Sequence, residues 1–261
     1  MKYGFIGCGN MGGALAEALA KTTTDFAVTD RSGKARALAE KLSCRYTTTE
    51  DIANHCDRIF LGVKPHMMAD VLRPLQPLLA QRKPLLITMA AGIEIRQIEE
   101  FAGVRLPVIR IMPNTPAAIG KGVTQYCRND LVSDEVLESY LADMAHSGKL
   151  DPLEEHLFDA GSALSGSGPA YAYIFIEALA DGAVACGIPR AKALEYAAAT
   201  LIGAGEMVLA SGQHPGALKD AVCSPGGSTI SGIRALENHG FRAAAMEAVI
   251  ATYNRNKELG K

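Results

Sequence analysis

A glycine-rich turn near the beginning of the chain is the feature that most restricts its fold. The turn reads Gly7-Cys8-Gly9-Asn10-Met11-Gly12; it follows an apolar stretch from Tyr3 to Ile6 and precedes a helical pattern from Ala14 to Lys21. In this GxGxxG spacing the first glycine permits a tight turn, the second lets a pyrophosphate approach the backbone, and the third lets helix and strand pack closely. A strand, this turn and a helix in that order predict a dinucleotide-binding fold, with cofactor contacts from Ile6 to Gly12.

Strand and helix patterns alternate after this turn as far as about residue 150. Strands are predicted at 26–29, 44–46, 58–63, 85–89, 107–112 and 122–127, with helical patterns between most of them. This alternation predicts an α/β domain with a doubly wound, mostly parallel sheet, whose ligands bind at the carboxyl ends of the strands. Besides the glycine turn, the residues expected to form a cofactor cleft at that edge are Asp30, Arg31, Ser32, Val63, Lys64, Pro65, Ala90, Ala91, Gly92 and Asn114.

The strand pattern stops after about residue 155, and only helical segments follow. Many of them are rich in small residues, as in Ala197-Ala198-Ala199 and Ala243-Ala244-Ala245. Small helix faces permit close approach between helices, which suits an all-α domain that packs against a second copy of itself. We therefore predict a Rossmann domain at residues 1–158 and a helical dimerisation domain at residues 159–261, with a Ser/Gly-rich joint at 165–169.

The end of the second predicted strand carries two opposing signals about the cofactor. Asp30 lies where an acidic residue bonds the adenosine ribose of NAD, whereas Arg31 and Ser32 suit the 2′-phosphate of NADP. We expect NADP(H) to be favoured and NAD(H) to be accepted, and we expect removal of the Asp30 carboxylate to strengthen the preference for NADPH. Ser32 is also expected to cap the helix that begins at about residue 33.

A rigid loop is expected at Met112-Pro113-Asn114-Thr115-Pro116, where two prolines surround a polar pair. Its backbone would hold the amide of Asn114 for a hydrogen bond to the nicotinamide carboxamide or to a substrate. The alternative is a plain turn between two strands.

A second glycine-rich turn, Ser224-Pro225-Gly226-Gly227, lies between two helical patterns near the end of the chain. Pro225 ends the first helix, and the next helix begins at Ser228 and Thr229 with free backbone N–H groups, which bind anions such as a carboxylate. The hydroxyls of Ser224 and Thr229 can bond a small polar ligand as well. The alternative is an ordinary corner between two helices.

Composition limits the partners. The chain has 261 residues, 48% of them hydrophobic, and a formal net charge of -2, so it lacks the basic surface that nucleic acid binding requires. No apolar run approaches the roughly 18 residues of a membrane span, and we expect no membrane contact. The histidines and the six cysteines show no metal-binding spacing and no CxxC pair, which predicts no metal site and reduced thiols in the cytoplasm.

Six motifs, in this order, resemble those of pyrroline-5-carboxylate reductases: FIGCGNMG at 5–12, VKPH at 63–66, AAG at 90–92, MPNTP at 112–116, SGSGPAY at 165–171 and HPGALKDAVCSPGGSTI at 214–230. The resemblance spans nearly the whole chain. It implies NAD(P)H-dependent reduction of 1-pyrroline-5-carboxylate to L-proline, the last step of proline biosynthesis. It also implies an interlocked homodimer with the substrate pocket at the dimer interface, and dimers that often assemble into a decamer.

On this resemblance, the corner at 224–229 binds the imine substrate. The carboxylate would bond the N–H groups of Gly227, Ser228 and Thr229 and the hydroxyl of Ser224, with Gly226 shaping the turn. Thr229 is the candidate catalytic residue; its hydroxyl is too weak an acid to give up its proton, so we expect it to donate a hydrogen bond to the ring nitrogen while solvent supplies the proton. Thr49 stands where relatives often place an asparagine near the adenosine, and it is therefore a further candidate for cofactor binding.

Two other functions would fit parts of this sequence. A 2-hydroxyacid dehydrogenase with a helical second domain commonly uses a lysine on the first helix of that domain as its base, and residues 169–186 contain no lysine. A non-catalytic NAD(P) sensor would bind the cofactor, but it would leave the corner at 224–229 without a purpose.

Overall fold

The computed structural model describes residues 1–259, which divide into two compact units. The first unit contains residues 1–167 together with residues 252–259, and the second contains residues 168–251. The division falls inside the Ser/Gly-rich joint and later than residue 158, because the helical turns just before the joint pack with the sheet unit.

The first unit alternates strands and helices. Its strands are β1 Tyr3–Ile6, β2 Phe26–Thr29, β3 Arg45–Tyr46, β4 Arg58–Leu61, β5 Leu85–Thr88, β6 Val108–Met112, β7 Gly122–Arg128 and β8 Gly148–Pro152. Its helices are α1 Asn10–Leu19, α2 Lys34–Leu42, α3 Thr49–His55, α4 Met68–Leu72, α5 Gln76–Arg82, α6 Ile95–Ala102, α7 Asp134–Asp143 and α8 Phe158–Gly161. Short 3₁₀ turns lie at Pro65–Met67, Arg73–Leu75, Thr115–Ile119, Ala145–Ser147 and Glu155–Leu157, and a π-helical turn at Ser162–Gly166.

The strands form one sheet in the order β3-β2-β1-β4-β5-β6-β7-β8. The strands from β1 to β6 pair in parallel, β7 is antiparallel to β6, and β8 is parallel to β7. This topology confirms the doubly wound sheet, whose switch point lies at β1 between β2 and β4. Ile6 pairs with Thr29 on one side and with Leu61 on the other, so the chain leaves all three strands side by side.

Both faces of the sheet are covered by apolar side chains. On one face Phe5 of β1 stacks on Phe60 of β4 with ring centroids 4.3 Å apart, and α1 packs over them. On the other face Ile6 lies in a second buried cluster with Ile52 of α3. Such close packing on both sides holds the ends of β1, β2 and β4 in fixed positions.

Side-chain caps fix the starts of two helices in this unit. Thr48 and Ser133 cap α3 and α7 by accepting hydrogen bonds from the backbone N–H groups of Asp51 and Val136. The cap predicted for Ser32 is wrong: α2 begins at Lys34, its N-cap is Gly33 in the left-handed region at φ 79°, and the Ser32 hydroxyl bonds Asp30 instead. Strand β8 was not predicted, because its five residues are short of apolar side chains and alternate charged groups with others.

The second unit is helical, as predicted. Its helices are α9 Gly168–Ala185, α10 Arg190–Ser211, α11 Pro215–Ala221, α12 Ser228–Asn238 and α13 Phe241–Leu259, which runs on into the first unit. Its buried core in a single chain is small, with Ala180, Ala193 and Ala197, while large apolar side chains such as Leu209 and Ile174 stay 85% and 68% exposed. One described helix, α10, is long and apolar enough to cross a bilayer, judged by length and composition alone. A helix that is covered by another protein chain can have the same length and composition.

Candidate functional site

Three glycines make the turn after β1 possible. Gly7 adopts φ +99°, and a Cβ there would lie 2.6 Å from the backbone of Gly62, which follows β4. A Cβ on Gly12 would lie 2.2 Å from the carbonyl oxygen of Gly7. Strand β4, the turn and α1 therefore approach one another at van der Waals distance only because all three residues lack a side chain.

Gly9 has a different role from its neighbours. An added Cβ would meet no atom within 4 Å, and the residue is exposed with φ -67° and ψ -167°, a conformation open to any residue. The protein's own packing does not require glycine here. The space above Gly9 is free for a ligand, in agreement with the role predicted for the second glycine of the motif.

Helix α1 begins at Asn10, inside the glycine-rich segment and earlier than the predicted start at Ala14. Its first N–H groups, at Asn10, Met11 and Gly12, have no hydrogen-bond partner in residues 1–259, and the first intrahelical bond runs from Gly13 to the Gly9 carbonyl at 2.8 Å. Free N–H groups and the positive end of the helix dipole together make a site for a phosphate group.

A cleft of about 430 Å³ lies at the switch point of the sheet. Predicted residues that line it are Ile6, Gly7, Cys8, Gly9, Asp30, Arg31, Ser32, Thr49, Val63 and Lys64. The structure thus brings together the ends of β1, β2 and β4 with the start of α3. Two cations at its edge, Arg31 and Lys64, are exposed and have no ion-pair partner among the described residues.

Several cleft residues were not predicted: Thr29, Glu50, Gly62, Met67, Asp70, Val71, Pro74 and Leu75. Gly62 could have been found, because it follows a buried strand next to the one that carries the glycine turn. Met67, Val71 and Leu75 give no local signal, since apolar spacing predicts only that a helix is buried, not that its face borders a cleft. They supply an apolar wall opposite the polar turn.

Asp30 lies at the cleft but faces the start of α2. Its carboxylate accepts hydrogen bonds from the N–H of Gly33 at 2.9 Å, the N–H of Ala35 at 3.1 Å and the hydroxyl of Ser32 at 2.8 Å. The ribose contact predicted for this side chain would have to compete with these three donors.

Cys8 is a neutral thiol in the floor of the cleft. Its side chain is buried, and its sulfur lies 3.8 Å from the Thr29 carbonyl oxygen. Burial, followed by the charge of Asp30, raises the pKa of Cys8 to about 12. The group therefore adds no negative charge beside the N-terminus of α1 at neutral pH.

Other predicted cofactor residues lie outside this cleft. Pro65 opens a 3₁₀ turn beyond its edge, and Ala90, Ala91 and Gly92 follow β5 farther along the sheet. Ala90 is buried, and Gly92 borders a separate cavity of about 380 Å³ that Arg110 and Glu155 also line. The cleft in a single chain therefore contains residues predicted for the diphosphate and adenosine end of a dinucleotide, but not Pro65, Ala90, Ala91 or Gly92.

Asn114 has a structural role in the protein, and the contact of its side chain with nicotinamide or a substrate stays a prediction. Its amide oxygen accepts a hydrogen bond from the N–H of Val123 at 2.9 Å, and its amide nitrogen donates to the carbonyl of Ser165 at 2.9 Å. The side chain is 6% exposed. It ties the loop after β6 to β7 and to the π-helical turn before the joint.

The corner at 224–229 forms within the helical unit. Gly226 adopts φ +69°, and a Cβ on Gly227 would lie 2.4 Å from the Ser224 hydroxyl oxygen, so a side chain there would displace that hydroxyl. The N–H of Gly227 donates to the Ser224 carbonyl at 3.0 Å, so this group is not the free donor that we predicted. Helix α12 starts at Ser228, and the N–H groups of Ser228 and Thr229 have no partner among the described residues.

The hydroxyls of this corner are accessible. Ser224 and Thr229 are exposed in a single chain, and the Thr229 hydroxyl has no hydrogen-bond partner in residues 1–259. The preceding helix α11 is held at its start by His214, whose Nδ1 accepts from the N–H of Gly216 at 3.0 Å. Two free N–H groups and two hydroxyls are thus placed on one turn, which suits a small anion with a further hydrogen-bonding group.

A doubly wound sheet with a dinucleotide cleft, followed by an all-α unit that carries an anion corner, defines a class of NAD(P)-dependent oxidoreductases. Two family models agree: residues 2–92 match the NADP oxidoreductase, coenzyme F420-dependent family, and residues 155–259 match the pyrroline-5-carboxylate reductase dimerisation family. The pyrroline-5-carboxylate reductase of Glycine max is 41% identical over 98% of this chain and 95% of its own, and that of Escherichia coli is 39% identical over 100% and 98%.

Solved structures give the same result. The pyrroline carboxylate reductase of Plasmodium falciparum with NADP bound superposes with a TM-score of 0.91 at 34% identity, covering 100% of this chain and 98% of that one. The enzyme from Streptococcus pyogenes superposes with a TM-score of 0.90 at 37% identity, covering 99% and 98%. This chain belongs to the pyrroline-5-carboxylate reductase family.

Proposed function

We propose that this protein reduces 1-pyrroline-5-carboxylate to L-proline, with NADPH as the favoured reductant and NADH as an accepted one. The observation that carries the proposal is the pair of sites on one chain: a dinucleotide cleft with a free helix N-terminus, and an anion corner with a free threonine hydroxyl beside it. Full-length identity of about 40% to named members of the family supports the same reaction.

The cleft fits the cofactor. The pyrophosphate would bond the N–H groups of Asn10, Met11 and Gly12, in the space that Gly9 leaves open. Arg31 would hold the 2′-phosphate of NADPH, because its guanidinium can bond two phosphate oxygens at once. Thr49 borders the cleft where the adenosine would lie.

The corner fits the substrate. The carboxylate would accept hydrogen bonds from the N–H groups of Ser228 and Thr229 and from the hydroxyl of Ser224. The Thr229 hydroxyl would donate to the ring nitrogen, which makes the neighbouring carbon more electrophilic. Gly226 and Gly227 shape the turn and leave room for the Ser224 hydroxyl.

The reaction requires one hydride and one proton. NADPH, when bound, supplies the hydride to carbon C5 of the imine. The C=N bond becomes C–N, and the nitrogen takes up a proton that comes from solvent. The Thr229 hydroxyl donates a hydrogen bond to the ring nitrogen. This bond strengthens as the basicity of the nitrogen rises in the transition state, and it therefore lowers the barrier to hydride transfer.

The protein is a homo-oligomer whose substrate is a small molecule. We infer a homodimer through the helical unit, since its apolar faces stay uncovered in one chain and residues 155–259 match a dimerisation family. Dimers would assemble further into a decamer. Burial in such an assembly would also account for the apolar exposed surface of α10 without a membrane, and the protein would act in the cytoplasm.

The test is an assay of NADPH and NADH oxidation by the purified protein with 1-pyrroline-5-carboxylate. We expect proline as the product, and we expect no oxidation of 2-hydroxy acids in the reverse direction with NADP. Cofactor binding without turnover of the imine would favour the NAD(P) sensor instead. A protein active as a monomer at assay concentration would contradict the dimer.

A further inference from the structure

The carboxylate of Asp30 is already occupied. A carboxylate offers about four acceptor positions, and three are filled, by Gly33 N–H on one oxygen and by Ala35 N–H and the Ser32 hydroxyl on the other. A ribose diol held by both oxygens would have to displace at least one of these donors. The group is therefore not arranged as the ribose acceptor that its sequence position suggests.

Helix α2 depends on this side chain. Its N-cap, Gly33, has no side chain, and its first turn carries no acidic residue. Ala35 is fully buried, so its N–H would lose its partner without gaining water if Asp30 turned toward the cleft. Asp30 thus supplies both the hydrogen bonds and the negative charge that a helix N-terminus requires.

The same hydrogen bonds shape the segment 31–33. The Ser32 hydroxyl donates to Asp30, and Gly33 turns the chain in the left-handed region. Arg31, between them, borders the cleft and has no partner of its own among the described residues. Its backbone is therefore held on both sides while its guanidinium stays free.

We propose that Asp30 is a positioning residue for NADPH: it caps α2, keeps its charge on that helix, and fixes the backbone that presents Arg31 to the 2′-phosphate. The inference rests on the proposed function only in taking a nicotinamide dinucleotide as the ligand. It reverses the expectation from the sequence, because removal of Asp30 then weakens the preference for NADPH instead of strengthening it.

The experiment measures binding of NADPH and of NADH by the fluorescence of the reduced nicotinamide, without imine. For Asp30→Ala we expect NADPH affinity to fall about 10-fold, as the loss of a cap and of a positioned phosphate contact allows, and NADH affinity to fall less than about 3-fold. Asp30→Asn removes the charge but keeps one acceptor for the α2 N–H groups. Its ratio of NADPH affinity to NADH affinity should lie between the ratios of the wild-type protein and Asp30→Ala.

A double-mutant cycle with Arg31→Ala tests whether Asp30 acts through Arg31. Arg31→Ala should weaken NADPH binding in the wild-type background and should have little further effect in Asp30→Ala, because coupled residues are not additive. Ser133→Ala is the matched control, since it removes the cap of α7, whose residues do not line the cleft. It should leave the NADPH to NADH ratio unchanged.

Three results would overturn the inference. The ratio of NADPH affinity to NADH affinity could be higher in Asp30→Ala than in the wild-type protein, or it could be unchanged. The effects of the two substitutions on NADPH affinity could also be additive in the double-mutant cycle. A selective loss of NADH binding would identify Asp30 as a ribose ligand after all. If the wild-type protein bound neither cofactor, the proposed function would fail first. If Asp30→Ala did not fold, the Asp30→Asn ratio and its own cycle with Arg31→Ala would decide.

Discussion

Two glycines of the same turn are expected to respond in opposite ways to substitution. Gly9→Val places a side chain where no protein atom lies within 4 Å, whereas Gly12→Ala places one 2.2 Å from the carbonyl oxygen of Gly7. The first change should therefore abolish cofactor binding and preserve the fold. The second should destabilise the fold.

The magnitudes follow from the geometry. Valine at the N-cap of α1 replaces a tolerated glycine with a poor cap, which costs about 0.5–1 kcal/mol of unfolding free energy. At Gly12 a backbone shift of roughly 1 Å is needed; overpacking of this kind costs about 3 kcal/mol, of which the better helix propensity of alanine returns about 1 kcal/mol. A loss of about 2 kcal/mol lowers the Tm by roughly 4–8 °C in a protein of this size.

Thermal unfolding with and without NADPH separates the two effects. At a concentration of 100 times Kd, a ligand stabilises the native state by about 2.7 kcal/mol. We expect the wild-type protein to show this shift and Gly9→Val to show none, at a starting Tm close to wild type. Gly9→Ala is the graded control, with a smaller loss of affinity. Tight NADPH binding by Gly9→Val, or a Gly12→Ala protein as stable as wild type, would refute the reasoning.

Three further changes test other parts of the molecule. Thr229→Ala should lower kcat by about 10- to 150-fold, which corresponds to a charge-assisted hydrogen bond of about 1.5–3 kcal/mol, and should change KM only modestly. Thr229→Ser should keep most of the activity. An unchanged kcat at saturating imine would show that the hydroxyl is structural. Asp143 is buried, which opposes ionisation, but hydrogen bonds from Lys2 and Tyr3 and the charges of Lys2 and Arg58 outweigh burial and lower its pKa. The stability that Asp143 contributes is therefore present above about pH 4 and lost as pH falls through its lowered pKa, so urea titrations should show Asp143→Asn less stable at pH 7 and nearly equal to wild type in acid; a constant difference would contradict this. Asn114→Ala should lower Tm by removing both hydrogen bonds of its amide, and hydrogen exchange at Val123 should rise; unchanged exchange would contradict the structural role.

Local chemistry along the chain determined much of what could be predicted. Neighbouring residues determine the glycine turn at 7–12, the alternation of strands and helices, and the helix caps. This is because the hydrogen bonds of a turn or a cap are made within a few positions of the sequence. The same holds for the corner at 224–229, where Pro225, Gly226 and Gly227 shape the turn. These features were enough to predict the fold class and the two candidate sites.

Tertiary structure decided which groups meet. Gly62 borders Gly7 because β4 pairs with β1, and Asn114 reaches Ser165 across 51 residues of sequence. Sequence position suggested a ribose contact for Asp30, but the backbone at the start of α2 donates hydrogen bonds to its carboxylate. The N–H of Gly227 was expected to be free, but it donates a hydrogen bond within its own turn. The physical reason is that a polar group is defined by its residue type, but whether it is free for a ligand depends on which donors and acceptors the folded backbone brings within about 3 Å of it.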